Sequence, residues 1–134
     1  MNLLTLNKRI KRGIFDMIKS KITAIGPQAI DEKQPLLILF GETASERLRE
    51  VSLIHGFEND PIGGYDIKKG SKVRIGSSEY EVEFVGQLVE SNLTSIGHTV
   101  LAFKEVPETP QENAIYLKPH AMPKIEIGTE IVFD

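Results

Sequence analysis

Lys72-Val73-Arg74-Ile75-Gly76-Ser77-Ser78-Glu79-Tyr80-Glu81-Val82-Glu83-Phe84 is the stretch that decides the fold. From Tyr80 to Phe84 apolar and acidic residues alternate strictly, so an extended chain puts Tyr80, Val82 and Phe84 on one face and Glu81 and Glu83 on the other. The Lys72-Val73-Arg74-Ile75 run precedes it across Gly76-Ser77-Ser78. Together they predict a hairpin with a glycine-assisted turn and one wet face.

The same texture spreads in both directions from this hairpin. Upstream, Ile18–Ile25 reads as a strand closed by Gly26-Pro27, and Leu36–Phe40 as a fully buried strand closed by Gly41. Residues 43–50 break the pattern with a capping box, Thr43 at the cap and Glu46 three residues on, followed by Leu48 and Val51 at helical spacing. From Val51 the chain returns to strand, which leaves His55 at or just beyond the strand's end. Downstream, strands are expected over 99–104, Ala114–Lys118 and Glu130–Phe133. Residues 88–95 read as a loop or short helix, and 107–113, with Pro107 and Pro110, as a surface loop.

One local pattern occurs twice: Ile67-Lys68-Lys69-Gly70 and Ile125-Glu126-Ile127-Gly128 each lead into an alternating strand. This is reuse of one turn-into-strand device, because the sequence between the copies shows no further match. The fold class is all-β, a compact small barrel or tight sandwich of about six to eight strands with one short helical segment near residues 43–50. Closure into a barrel disposes of the edges that so many short strands create.

A chain of 134 residues, 40% hydrophobic and 26% charged, is a single soluble domain by size and composition. Its net charge of -3 gives no basic footprint, so no nucleic-acid partner is expected. The absence of cysteine removes disulfides, thiolate metal sites and thiol nucleophiles together, and a cytoplasmic location fits best.

Residues 1–17 stand apart as a basic N-terminal arm, with Lys8, Arg9, Lys11 and Arg12 among Leu3, Leu4, Leu6 and Ile10. The arm reads as an amphipathic helix or a disordered segment, not as a signal peptide, and its apolar run is too short to enter a membrane. Met17 offers an alternative start, which would leave the arm outside the native protein. Residues 18–134 form the single β domain.

With no thiol and no serine in a nucleophile elbow, covalent chemistry narrows to an imidazole. Of the three histidines, His55 follows the apolar run Val51-Ser52-Leu53-Ile54 and precedes Gly56-Phe57-Glu58. Gly63-Gly64 and Lys68-Lys69-Gly70-Ser71 hold the ingredients of a phosphate loop but not the Walker order. His55, Glu58 and His98 outline a metal site only if Gly56 breaks the strand, since residues three apart on a strand face opposite sides; no metal is expected. His120 lies in a proline-flanked loop, where an exposed, idle side chain is expected.

Ile22-Thr23-x-Ile25-Gly26, Ala29-Ile30-Asp31, Ile54-His55, Gly70, Val85-Gly86, Asn92-Leu93, Gly97-His98, Leu101-x-Phe103 and Gly128-x-x-Ile131-x-Phe133, in that order, resemble the glucitol/sorbitol-specific IIA component of the bacterial sugar phosphotransferase system. The likeness runs from about Ile18 to the C-terminus. It implies a phosphotransferase component, not a stand-alone metabolic enzyme. Such a carrier takes a phosphoryl group from the carrier protein HPr onto its own histidine and gives it to the sugar-specific IIB component of a membrane transporter (IIB/IIC), with no cofactor.

The histidine matching that role is His55; Phe57 stands where some relatives carry a second histidine. A reactive imidazole needs exposure to its partner, donors for phosphoryl oxygens and an oriented ring. The Gly56 backbone N–H is a candidate phosphate donor, Glu58 a candidate for ring orientation, and His98 a supporting residue. The competing reading is a non-catalytic β-barrel that binds or regulates, with a structural His55.

Overall fold

The structure, a computed structural model, describes residues 17–134; nearly all of the basic arm, and with it the choice between helix and disordered segment, lies outside the described residues. Eight strands close into one barrel: β1 Ile18–Ile25, β2 Leu36–Phe40, β3 Leu53–Phe57, β4 Lys72–Ile75, β5 Ser78–Val85, β6 Thr99–Ala102, β7 Ala114–Lys118 and β8 Glu130–Phe133. Around the barrel they run β1-β3-β2-β6-β7-β5-β4-β8, and β8 pairs back onto β1. Three short helices are described, α1 Glu46–Glu50, α2 Pro61–Gly64 and α3 Val89–Ile96.

The deciding hairpin forms, with one departure from its pattern: a bulge past Val82 turns Phe84 away from the face of Tyr80 and Val82 and onto the outer side of the sheet, where it packs on Tyr116. Ile75 pairs with Ser78 around a two-residue turn opened by Gly76 at φ +60°, while Tyr80 and Val82 enter the core. The Leu36–Phe40 run departs from its reading as fully buried. Leu37 and Leu39 face the barrel interior, while Leu36 and Ile38 pack on the outside with Val100, Ala102, Ala114 and Tyr116. A second apolar layer outside the sheet, not burial on both faces, explains the unbroken run.

Residues 43–50 do contain a helix, but Ser45 caps it, its hydroxyl accepting from Leu48 N–H at 3.3 Å, not Thr43. Residues 61–64, where Gly63-Gly64 reads as loop, make one helical turn capped by Asp60. Residues 88–95 resolve to helix α3, whose Val89 and Leu93 sit one turn apart and plug into the core from one end of the barrel.

The two copies of the turn motif are built alike. Gly70 and Gly128 adopt φ +92° and +94°. The Lys68 amide donates to Ser71 Oγ as that of Glu126 does to Thr129 Oγ1. Each glycine amide then donates to a neighbouring strand, Gly70 to Val82 O and Gly128 to Ile22 O.

The repeat goes further than the sequence reading allowed. β1 and β5 each carry a bulge, just past Ile22 and just past Val82. Gly26 N–H donates to Ser52 O as Gly86 N–H does to Ala114 O, and each half contains one parallel pair, β2 with β3 and β6 with β7. The halves β8-β1-β3-β2 and β4-β5-β7-β6 thus correspond by an approximate twofold. What they share is backbone hydrogen bonding, which leaves no pattern in side chains that need only be apolar.

Candidate functional site

His55 does not sit at the end of its strand. Gly56 and Phe57 continue the ladder opposite Lys21 and Ser20, so the imidazole lies mid-strand and is only 1% exposed, against the expectation of an exposed ring. Period-two alternation puts it on the same inner face as Leu53 and Phe57, and puts Ser20 on the inner face of β1 between Ile18 and Ile22. A polar pair therefore occupies the barrel's end where apolar residues are the rule.

Both ring nitrogens have partners. Nε2 lies 2.7 Å from the carbonyl oxygen of Gly97, and Nδ1 lies 2.8 Å from Ser20 Oγ. A carbonyl oxygen only accepts, so Nε2 carries the ring proton and the Ser20 hydroxyl donates to Nδ1. Burial pushes the imidazole below its ordinary pKa, the Gly97 hydrogen bond opposing in part, and the ring is neutral near pH 7.

Gly97 reaches this position because it closes α3. Its φ of +68°, with Gly97 N–H on Leu93 O and His98 N–H on Asn92 O, ends the helix in a left-handed cap. A Cβ there would stand 2.7 Å from Gly41 N, so only glycine fits.

Beside the ring opens a cavity of about 370 Å³, lined by residues 41–43, 55–57 and 93–97 with Pro61. Gly97 lines it and Ser20 does not, so the Nε2 edge faces the cavity and the Nδ1 edge faces the barrel interior. The approximate twofold accounts for the space. Ladder registers match Ser20, Gly41 and His55 with Tyr80, Phe103 and Leu117 of the other half. There Tyr80 and Phe103 pack edge to face at 5.0 Å, with Leu117 in the same core. Small and polar residues replace two rings and a leucine, and the room they leave is beside His55.

The other residues proposed from sequence are placed elsewhere. Glu58 does not orient the ring: its carboxylate pairs with Lys21 at 3.5 Å near the surface, and the orienting partners are Ser20 and Gly97. Gly56 stands opposite Lys21, and Glu58 N–H donates to Lys19 O two residues on. The alternation of an antiparallel ladder then turns the Gly56 amide toward β1 and away from the cavity. Its bare α-carbon instead makes room for the Glu42 carboxylate, 3.1 Å from where a side chain would begin.

His98 stacks on Phe40 with ring centroids 4.1 Å apart, donates from Nδ1 to Leu39 O at 3.0 Å and accepts from Asn113 Nδ2 at 3.1 Å. It locks the start of β6 to β2 and touches the site only through its neighbour Gly97. With these donors committed apart, His55, Glu58 and His98 do not converge, and among the described residues no three metal-ligating side chains cluster. His120, expected to be idle, pairs with Glu83 at 2.9 Å.

Sequence reasoning missed Ser20 and Arg49. A serine between Ile18 and Ile22 at interior spacing was the available signal for the first. Arg49, whose guanidinium donates to the carbonyls of Glu42 and Ala44 and so fixes the turn at the cavity's rim, left no such signal.

Residues 17–132 match the family described as PTS system glucitol/sorbitol-specific IIA component. Similar proteins include the PTS system glucitol/sorbitol-specific EIIA components of Escherichia coli (strain K12), 29% identical, and Shigella flexneri, 28% identical; each alignment spans 87% of this chain and 93% of the relative. A crystal structure of a PTS system IIA component from Enterococcus faecalis V583 superposes with a TM-score of 0.81 at 36% identity, covering 86% of this chain and 98% of that one. No helix among the described residues is long and apolar enough to cross a membrane. The barrel, the order of its motifs and the match over nearly its whole length agree: this chain belongs to the glucitol/sorbitol-specific IIA component family of the sugar-transporting PTS.

Proposed function

We propose that the chain is a phosphocarrier in which His55 Nε2 takes a phosphoryl group from phospho-HPr and hands it to the sugar-specific IIB component of a membrane transporter in the cytoplasm. Residues 18–134 are the carrier domain, and the basic arm lies outside it. The observation that carries the reading is a neutral imidazole that lines a cavity of about 370 Å³, with its Nε2 held by the carbonyl of Gly97, another residue of the cavity wall. Transfer is an in-line displacement: Nε2 bonds to phosphorus as the donor's nitrogen–phosphorus bond breaks, with charge spread over three oxygens. For this the Gly97 carbonyl must release Nε2.

Two further features support the site. The amides of Glu42 and Thr43 border the cavity and make no hydrogen bond to another described residue, so they are available to phosphoryl oxygens. Ile96, 44% exposed, lines the cavity, and Ile62, 69% exposed, follows the lining Pro61; the two offer apolar surface to a partner.

Incubation with enzyme I, HPr and labelled phosphoenolpyruvate tests the proposal. It expects one acid-labile, base-stable phosphate that His55→Gln abolishes. The 1% exposure of His55 favours a second reading, a binding or regulatory barrel with a structural histidine, and that reading expects no label.

A further inference from the structure

The resting site poses a chemical conflict. Space for phosphorus lies at Nε2, yet Nε2 bears the ring proton and its hydrogen bond to Gly97 O, while the free lone pair is on Nδ1, turned into the barrel. A protonated nitrogen cannot attack. Before transfer the proton must sit on Nδ1, and whatever faces Nδ1 must change from donor to acceptor.

We propose that Ser20 is the positioning residue that permits this exchange, its hydroxyl donating to Nδ1 at rest and accepting from Nδ1–H while Nε2 holds the phosphoryl group. The inference rests on the carrier reading of His55. Three observations converge on it.

Ser20 Oγ is 2.8 Å from Nδ1, the residue is fully buried, and it makes no other side-chain hydrogen bond among the described residues, so its O–H is free to turn. A hydroxyl both donates and accepts, which neither a carboxylate nor a backbone carbonyl can do. The matching position of the other half is Tyr80, whose hydroxyl donates to Ala121 O, so the fold itself does not demand a serine there.

The balance is simple. Once the Gly97 carbonyl has released Nε2 and the ring has opened to the cavity, Nε2 gives one proton to water and Nδ1 takes one from water before turning back onto Ser20, leaving the ring neutral and Ser20 a hydroxyl throughout. Nε2 then displaces the donor imidazole from phosphorus. The donor's other nitrogen keeps its proton, so it leaves as neutral imidazole. Phospho-His55 retains Nδ1–H, now donated to Ser20 Oγ, and the positive ring charge passes with the phosphoryl group.

The test compares the full chain with Ser20→Ala, Ser20→Val and Ser20→Thr for rate of phosphoryl uptake from phospho-HPr, with imidazole nitrogen NMR of His55 and thermal melting alongside. Threonine restores the hydroxyl in valine's shape. The expected result is uptake near the parent rate in Ser20→Thr and slower by about tenfold or more in Ser20→Val and Ser20→Ala.

In the parent, Nδ1 is expected unprotonated at rest and protonated in the phospho form, a readout that needs no variant to fold. Equal uptake by parent and Ser20→Ala, or an Nδ1 unprotonated in both forms, overturns the inference alone. A parent that takes no label overturns the carrier reading, and this inference with it.

Discussion

At the scale of single residues, Gly97 carries the sharpest consequence. It ends α3 in the left-handed region, its α-carbon lies against Gly41, and its carbonyl holds Nε2 of His55. Gly97→Ala therefore adds left-handed strain and a contact of 2.7 Å with backbone that cannot swing away, and melting should show a loss of about 1–3 kcal/mol. His98→Ala should cost about 1–3 kcal/mol as well, because it strands Leu39 O and Asn113 and removes the stack on Phe40, yet it should leave phosphoryl uptake measurable. If instead His98→Ala melts like the parent and takes no label, the assignment of structural and reactive histidines is reversed. His55 as the candidate imidazole was legible from the chain; its setting was not. Its holders, Ser20 and Gly97, are 35 and 42 residues away, and no local pattern announces contacts at that range.

Among the elements, strands written in alternation were readable and ends and caps were not. Tyr80-Glu81-Val82 states its two faces outright, but the bulge past Val82 sends Phe84 to the outer layer against its apparent alternation, and Leu36–Phe40 is apolar at every position because that second layer covers its outer side. His55 lies mid-strand and not at the strand's end, because a glycine opposite Lys21 in a closed ladder does not stop a strand; it leaves room for Glu42. Helix α1 was visible through its composition, and its cap was misplaced by two residues because Thr43 and Ser45 both satisfy the residue preference while only Ser45 reaches the Leu48 amide. Ser45→Ala should cost about 1 kcal/mol and Thr43→Ala almost nothing, measured as denaturation midpoints; equal effects would return the cap to Thr43. Helix α3 matters most, since Val89 and Leu93 fix it in the barrel's end and so aim the carbonyl of its cap residue, Gly97, at the imidazole.

Taken whole, the barrel is two similar halves of which one has been opened. Strand order around it was not legible, because β1 meets β8 and β3, and neither pairing follows from periodicity. Exchange of Tyr80, Phe103 and Leu117 for Ser20, Gly41 and His55 replaces packed volume with a cavity and a buried polar pair, an arrangement the twofold partner shows to be dispensable for folding. Ser20→Ala together with His55→Leu should accordingly melt within about 1 kcal/mol of the parent, since both partners of the Ser20–His55 hydrogen bond leave together and the Gly97 carbonyl, which lines the cavity, is left to water; collapse of the fold would make the pair structural. Acid should expose the same pair. Burial lowers the folded pKa of His55 beneath its unfolded value of about 6.5, so the unfolded chain binds the proton first. Stability is then full above about pH 6.5 and falls as pH drops toward the folded value, and His55→Leu should lose that part of the slope in denaturation series run from pH 7.5 to 5.5. The most direct test of the central claim is phosphorus–nitrogen correlation NMR on the nitrogen-labelled chain after phosphoryl transfer from HPr. The account predicts a single coupling, to Nε2 of His55; phosphorus on Nδ1, on His98 or His120, or on no nitrogen at all would contradict it.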